Sequence, residues 1–516
     1  MFDFTPLARP IFAPRVAAAD KWLGHTRDVQ MRQLSRLLSR CESTDVGERC
    51  RAQPVKSYED FKHNFPVVSY EDIRDDVMRM VMGEKNILWP GRCRRFAQSS
   101  GTSDGKSKYI PVTDDSLKLN HYAGGRDVVA HYLNLNPASR IFSGKSFILG
   151  GSSANEVSHL PADVRVGDLS ANLIDRINPV ANLFRIPSKD IALMSDWHEK
   201  LPALVNASLH ENVTNISGVP SWFMTVIREV IKAAGAETIH DVWPGLEVFI
   251  HGGISFEPYR EQYARLTDPS RMHYLETYNA SEGFFAVQSS LDTAAMLLLL
   301  DIGVFYEFVP LDSLDTPGEA ALPAWKLEQG KTYAMVISSC NGLWRYMIGD
   351  TVTVESIDPL KISIAGRTKH FINAFGEEVM VHNSDAALAK ACDATGATVL
   401  NYTAAPVYDD GGHRGHHQWL IEWSNPPADK EAFAEALDQA LQTVNSDYQA
   451  KRSGNIFLDR LTVDDAPAGL FDRWLESTGK LGGQRKVPRL CNDRHIIEQM
   501  LSLIDNNNKQ QNSLKT

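Results

Sequence analysis

Apolar positions along the chain fall into two spacings. Met31, Leu34 and Leu38 recur at three- and four-residue intervals and predict one face of a helix. Phe147, Ile148 and Leu149 run into Gly150-Gly151, and Val248, Phe249 and Ile250 run into His251-Gly252-Gly253. Each reads as a buried strand ending in a tight loop. Between them, residues 222–231 have helical spacing after the break at Pro220. The strongest apolar run, 294–300, is stopped by Asp301. It is too short to span a bilayer and reads as a buried strand. Strands alternating with helices predict an α/β core, whose ligands sit at the carboxyl ends of the strands. The Gly252-Gly253 loop is therefore a candidate binding edge, with a plain turn as the competing reading.

The texture changes after Gly366-Arg367-Thr368-Lys369. Downstream the pattern predicts a helix near 386–391 and strands at 398–403 and 419–423. A helix follows, carrying Phe433, Leu437, Leu441, Val444 and Tyr448 on one stripe. A strand over 456–463 and a helix over 470–475 complete a compact α+β unit. Residues 505–516 are polar and read as a frayed tail. The expected organisation is a large domain over 1–368, a small domain over 369–504 and a disordered end over 505–516. No internal repeat is present.

Composition narrows the class. A chain of 516 residues is long enough for two or three packed units. Its hydrophobic content of 43% and charged content of 23% are those of a folded globular protein. The net charge of −11 gives no global electrostatic support to nucleic-acid or membrane binding. Six scattered cysteines without a CxxC pair read as reduced thiols, and no basic segment followed by an apolar stretch opens the chain. Together these predict a cytoplasmic protein. His413, His416 and His417 cluster without a zinc spacing and are read as the tip of a hairpin before the 419–423 strand.

The chemistry gathers in four segments. The stretch from Ser99 to Lys108 reads Ser-Ser-Gly-Thr-Ser-Asp-Gly-Lys-Ser-Lys. Small residues let backbone N–H groups converge on an anion, hydroxyls add donors and lysines add charge. A solvated linker has the same composition. The Walker A loop is rejected, because Gly101 and Gly105 are separated by three residues rather than four. The third reading is the Ser/Thr/Gly-rich loop of adenylate-forming enzymes, which ends in a lysine where Lys108 stands. In Tyr278-Asn279-Ala280-Ser281-Glu282, a tyrosine can stack on a purine and a carboxylate can hold Mg²⁺ beside phosphates; the alternative is a turn. Asp350 closes Tyr346-Met347-Ile348-Gly349-Asp350 and can accept both ribose hydroxyls, although a turn aspartate is common. Gln484-Arg485-Lys486-Val487-Pro488-Arg489 follows Gly482-Gly483, with a basic surface loop as its bland reading.

Taken in order, these segments with Gly366-Arg367 resemble the acyl acid–amido synthetases of the auxin-responsive Gretchen Hagen family, within the adenylate-forming superfamily. The stretches 251–258 and 371–379 look like its bacterial branch. The resemblance implies a large N-terminal adenylate-forming α/β domain and a small mobile α+β C-terminal domain. It implies ATP and Mg²⁺, with carboxylic acid and amino acid substrates. Ser99, Ser100, Gly101, Thr102, Ser103 and Lys108 would hold phosphates. Gly252 and Gly253 would line the adenine site with Tyr278, and Ser281 would lie beside the nucleotide. Glu282 would bind the metal. Asp350 would bind ribose, with Arg367 nearby, and Lys369 would be the hinge. Lys486, Glu282 and Thr102 would act on the reacting groups. Phe184, Trp222, Phe223 and Met224 are apolar candidates for the acyl pocket, with core packing as the competing reading. Lys106 and Ser107 depart from the plant pattern in the loop, and Ala280 departs from it in the second segment, so plant hormone specificity does not carry over. The alternatives are an acyl–coenzyme A ligase and a silent ligand-binding homologue.

Overall fold

The computed structural model describes residues 2–52, 55–99, 108–151, 159–253, 256–367, 371–408, 414–455, 458–477 and 487–513. They divide into two compact units, the first ending at 367 and the second beginning at 371.

The first unit is built on a twelve-stranded sheet. Its parallel half runs Arg185–Ile186, Lys145–Ile148, Val213–Gly218, Val248–His251 and His273–Ala280 in spatial order. Two of these strands are those predicted around Phe147 and Phe249. The antiparallel half continues with Gly283–Gln288, Met296–Leu298, Leu360–Arg367, Tyr346–Ile357, Thr332–Ser339, Val304–Pro310 and Leu322–Pro323. The helix predicted after Pro220 spans Pro220–Ala234, with the proline at its first turn and Gly235 in the left-handed region at its end. The N-terminal prediction is met by Thr26–Cys41, which buries Leu34 and Leu38. The 294–300 run makes a shorter strand than its hydropathy suggests. Leu299 and Leu300 leave the ladder into a turn yet stay buried, so the apolar run is longer than the strand.

The second unit has a hairpin, Thr398–Tyr408 with Gly415–Asn425, extended in parallel by Thr462–Asp465. Phe433, Leu437, Leu441, Tyr402, Trp419 and Ile421 form its core. Four expectations differ from what is observed. The stripe from Phe433 to Tyr448 is two helices, Lys430–Val444 and Ser446–Arg452. Asn445 between them is extended, its Oδ1 accepting from the Tyr448 backbone N–H at 2.7 Å, so it ends one helix by capping the next. The strand predicted over 456–463 touches the sheet at Leu458, opposite Gly415, and rejoins it only at Thr462; residues 456–457 lie outside the described set. His416 and His417 are not at a hairpin tip but within the strand, opposite Val407 and Pro406, and His413 lies outside the described residues. His417 is buried because its Nε2 meets the buried Glu377 carboxylate at 2.8 Å. The terminal helix, His495–Ser513, carries helical backbone past Asp505, where fraying is predicted. The apolar stripe of Ile497 and Met500 anchors its start, and Asn, Lys and Gln do not stop a helix already nucleated. Among the described residues no helix is long and apolar enough to cross a membrane.

Candidate active site

The carboxyl end of the Val248–His251 strand runs into Gly252-Gly253, and both positions need glycine. A Cβ on Gly252 would stand 2.4 Å from the Thr277 carbonyl oxygen, and Gly253 has φ +86°. The turn is therefore pressed against the neighbouring His273–Ala280 strand. The Thr277 hydroxyl donates to the His251 carbonyl at 3.0 Å and fixes that approach.

Tyr278 follows directly. Its hydroxyl donates to Asp350 Oδ2 at 2.6 Å, and both residues are buried. Asp350 lies in the Tyr346–Ile357 strand after Gly349, whose φ of +100° needs a glycine, and its backbone is in register with Arg367. Thus Tyr278, Asp350 and the backbone of Arg367, far apart in sequence, share one neighbourhood. Glu282 sits at the turn after the Tyr278 strand, buried, with its carbonyl accepting from Asn341 Nδ2 at 3.0 Å. Asn120 clamps the next strand from the other side, donating to the Phe284 carbonyl and accepting from the Phe284 N–H at 2.7 Å. Among the described residues no three His, Cys, Asp or Glu side chains cluster as a metal cage.

The phosphate-loop candidate joins two strands, Arg95–Ser99 and Lys108–Pro111, in antiparallel register, Ser99 opposite Lys108. Lys108 Nζ lies 5.9 Å from the centre of the Tyr70 ring, while the Tyr70 hydroxyl accepts from the Tyr109 N–H. Ser100, Gly101, Thr102, Ser103, Lys369 and Lys486 lie outside the described residues.

A cavity of about 450 Å³ is lined by His251, Phe256, Arg260, Tyr274, Glu276 and Gln288 among others, and Gly252, Gly253, Tyr278, Glu282 and Asp350 are not in its lining. The His251 ring is stacked on Phe256 at 4.3 Å, and among the described residues its Nδ1 has no hydrogen-bond partner. Burial, with the nearby Arg260 charge, pushes this histidine down to about 3, so it is a neutral ring.

The apolar acyl candidates do not gather as one wall. Phe223 is fully buried between Phe147 and Phe249, with ring centres 5.3 and 5.5 Å away, and Met224 is also buried. Phe184 joins Phe4 and Phe142 in a separate ring cluster. Trp222 is half-buried against Trp197 at 6.1 Å.

Two residues escaped the sequence reading. Asn341 holds Glu282 from a distant turn, and only its place in Ser339-Cys340-Asn341-Gly342, ahead of the Asp350 segment, hints at it. His121 ends a π-helical turn, Leu117–His121, and is fully buried beside Asn279 of the Tyr278–Glu282 segment. Its polar contact is with the Asn279 side chain. Burial pushes His121 down to about 4, with Asn279 opposing. Wide turns of this kind recur at functional sites, but nothing in the local sequence marks this one.

Known proteins match along nearly the whole chain. The indole-3-acetic acid-amido synthetase GH3.4 of Arabidopsis thaliana is 22% identical over 89% of this chain and 88% of its own length. GH3.6 from the same plant is 22% identical over 92% and 90%. Among solved structures, AtGH3.15 acyl acid amido synthetase in complex with 2,4-DB superposes with a TM-score of 0.61 at 16% identity, covering 95% of both chains. A 2-hydroxyisobutyryl-CoA ligase superposes at 0.57 and 12% identity, covering 94% and 92%. The fold is therefore shared with these two enzymes. The GH3 family N-terminal domain matches residues 17–272, its central domain 297–367 and its C-terminal domain 382–495, and the chain belongs to the GH3 family.

Proposed function

We propose that this chain is an ATP-dependent acyl acid–amido synthetase. It joins a carboxylic acid to AMP with release of pyrophosphate, then passes the acyl group to the amine of an amino acid with release of AMP. The observation that carries this reading is the Tyr278–Asp350 hydrogen bond at the carboxyl edge of the parallel strands, beside the Gly252-Gly253 turn. Asp350 holds the ribose hydroxyls, with Arg367 beside it. Residues 99–103 and Lys108 hold the phosphates, with Thr102 facing the transferred group and Ser281 beside the nucleotide.

Both reactants of the first step are anions, so the main task is electrostatic. Lys486 neutralises the carboxylate and α-phosphate as they meet. Glu282 would hold Mg²⁺, which when bound would supply positive charge to the phosphates. Lys369 acts as the pivot for the second unit, which excludes water from the adenylate. The acyl pocket draws on Trp222 and its neighbours. The free thiols and acidic surface support a cytoplasmic location.

The acceptor separates this reading from an acyl–coenzyme A ligase, whose fold is also similar. The full-length curated relatives bear amido synthetase names, which favours an amine. The test is pyrophosphate release across a panel of acids, crossed with amino acids and coenzyme A, with products read by mass. Acid-dependent pyrophosphate followed by an amide is the expected result. A thioester as the main product, or no acid-dependent release at all, would replace this reading with one of its rivals.

A further inference from the structure

The N-terminal helix, Thr5–Asp20, buries one face against the fold and presents the other to solvent. Its inner face is held by both of its arginines. Arg9 donates to the carbonyls of Leu133, Asn136 and Pro137 at the end of the Tyr122–Leu135 helix. Arg15 pairs with Asp127 and Asp301 at 2.6 and 2.7 Å. The outer face has no such groups. Its exposed positions from Pro6 to Ala17 are Pro6, Leu7, Pro10, Ile11, Ala13, Pro14 and Ala17, all apolar. An outward helix face normally carries the polar residues, so this pattern is inverted.

The surface continues beyond the helix. Phe2 packs on Phe4, and Phe4 meets Phe184 edge-on at 5.7 Å. Phe184 directly follows the short helix Pro179–Leu183, in which Pro179, Val180, Ala181 and Leu183 are all exposed. Phe2, Phe4, Leu7, Ile11, Val180 and Leu183 are 68%, 39%, 64%, 72%, 65% and 69% exposed. Together they present on the order of 700 Å² of apolar surface. That exceeds the few hundred a monomer usually leaves bare and approaches the roughly 800 Å² each partner brings to a standard interface.

We propose that this face is a self-association surface, on which two copies of the chain pack about a two-fold axis, N-terminal helix against N-terminal helix. The patch is apolar apart from the Asp3–Arg140 pair beside Phe4 and Lys145 at the Leu183 carbonyl, and a two-fold axis lets an apolar patch close on itself without leaving an open end. Proline and alanine have almost no side-chain entropy to lose, so docking through them leaves more of the burial energy as affinity. A lipid surface is the poorer occupant. Interfacial helices flank their apolar face with cations for the headgroups. Here both helix arginines are spent inward, and the chain is acidic overall.

The experiment is sedimentation velocity on the full chain across the micromolar range, beside the variants Leu7→Glu/Ile11→Glu and, separately, Val180→Asp. All three positions are exposed, so melting curves should match the parent. The expected result is a species of twice the chain mass for the parent and the single-chain mass for both variants. A parent that stays at single-chain mass throughout the range overturns the proposal, as does a dimer that both variants leave intact. Flotation with phosphatidylcholine vesicles that is lost in the same variants, with no dimer in solution, assigns the face to lipid and also overturns it.

Discussion

The Tyr278 hydroxyl and the Asp350 carboxylate satisfy one another in a buried setting, so removing either leaves the other exposed to a different penalty. Tyr278→Phe takes away a donor and should cost about 1 kcal/mol of stability. Asp350→Ala strands a buried hydroxyl and removes the ribose acceptor. It should lower ATP affinity by roughly tenfold or more, with a smaller change in affinity for the acid, as calorimetric titration of each ligand can show. The buried imidazoles of His121 and His251 supply a pH dependence. Both are neutral in the folded protein, held down to about 4 and about 3, whereas in the unfolded chain they take up a proton near 6.5. The unfolded state thus binds more protons below 6.5, and stability is lost as pH falls from there toward 4. From pH 7 to pH 5 the unfolding free energy should drop by about 2 kcal/mol for each imidazole, and His121→Gln should remove one such share from the slope of urea midpoints against pH. At Lys486 the expected outcome is kinetic. Lys486→Ala should slow adenylation on the order of a hundredfold while ATP still binds, and unchanged pyrophosphate release would take this lysine out of the mechanism.

Elements position these residues through close contacts, and two of those contacts can be broken singly. Gly252→Ala places a methyl group against the Thr277 carbonyl and must push the turn away from the Tyr278 strand. Displacement of about 1 Å at a reacting site commonly costs on the order of a hundredfold in rate, so adenylation should fall far more than melting temperature. Arg345, just before the Asp350 strand, is buried with Glu307, and its guanidinium also donates to the carbonyls of Lys62, Phe65 and Gly318. Glu307→Leu leaves that charge unpaired and should cost about 3–5 kcal/mol, read by chemical denaturation. The parallel strands and the Pro220–Ala234 helix were legible because an apolar run ending in glycine, or a helical stripe after proline, reflects burial and backbone geometry directly. The break at Asn445 was hidden because Leu441, Val444 and Tyr448 keep helical spacing across it. What decides there is a side-chain cap and the reach of Asn445 Nδ2 to the Glu378 carbonyl, which no local pattern records. The same holds at the site. Tyr278, Glu282 and Asp350 stand in recognisable segments, whereas His121 and Asn341 reach those segments only through tertiary packing.

For the molecule as a whole, the sheet brings to one edge what the chain spreads over many residues, and the second unit has a core of its own. That core includes a buried His417–Glu377 pair, with Glu377 also accepting the N–H groups of Ala374 and Phe375 in the segment after Lys369. The loop between Ser99 and Lys108 is a different case. Its two ends already face one another in an antiparallel pair, so its closure is paid when the hairpin forms rather than when a nucleotide arrives. Because closure entropy grows only with the logarithm of length, doubling such a loop costs roughly 0.6 kcal/mol. Evolution can therefore resize it with almost no thermal consequence. An insertion here that silences the chain without softening it would measure how closely the loop's shape, and nothing else, must suit what it holds.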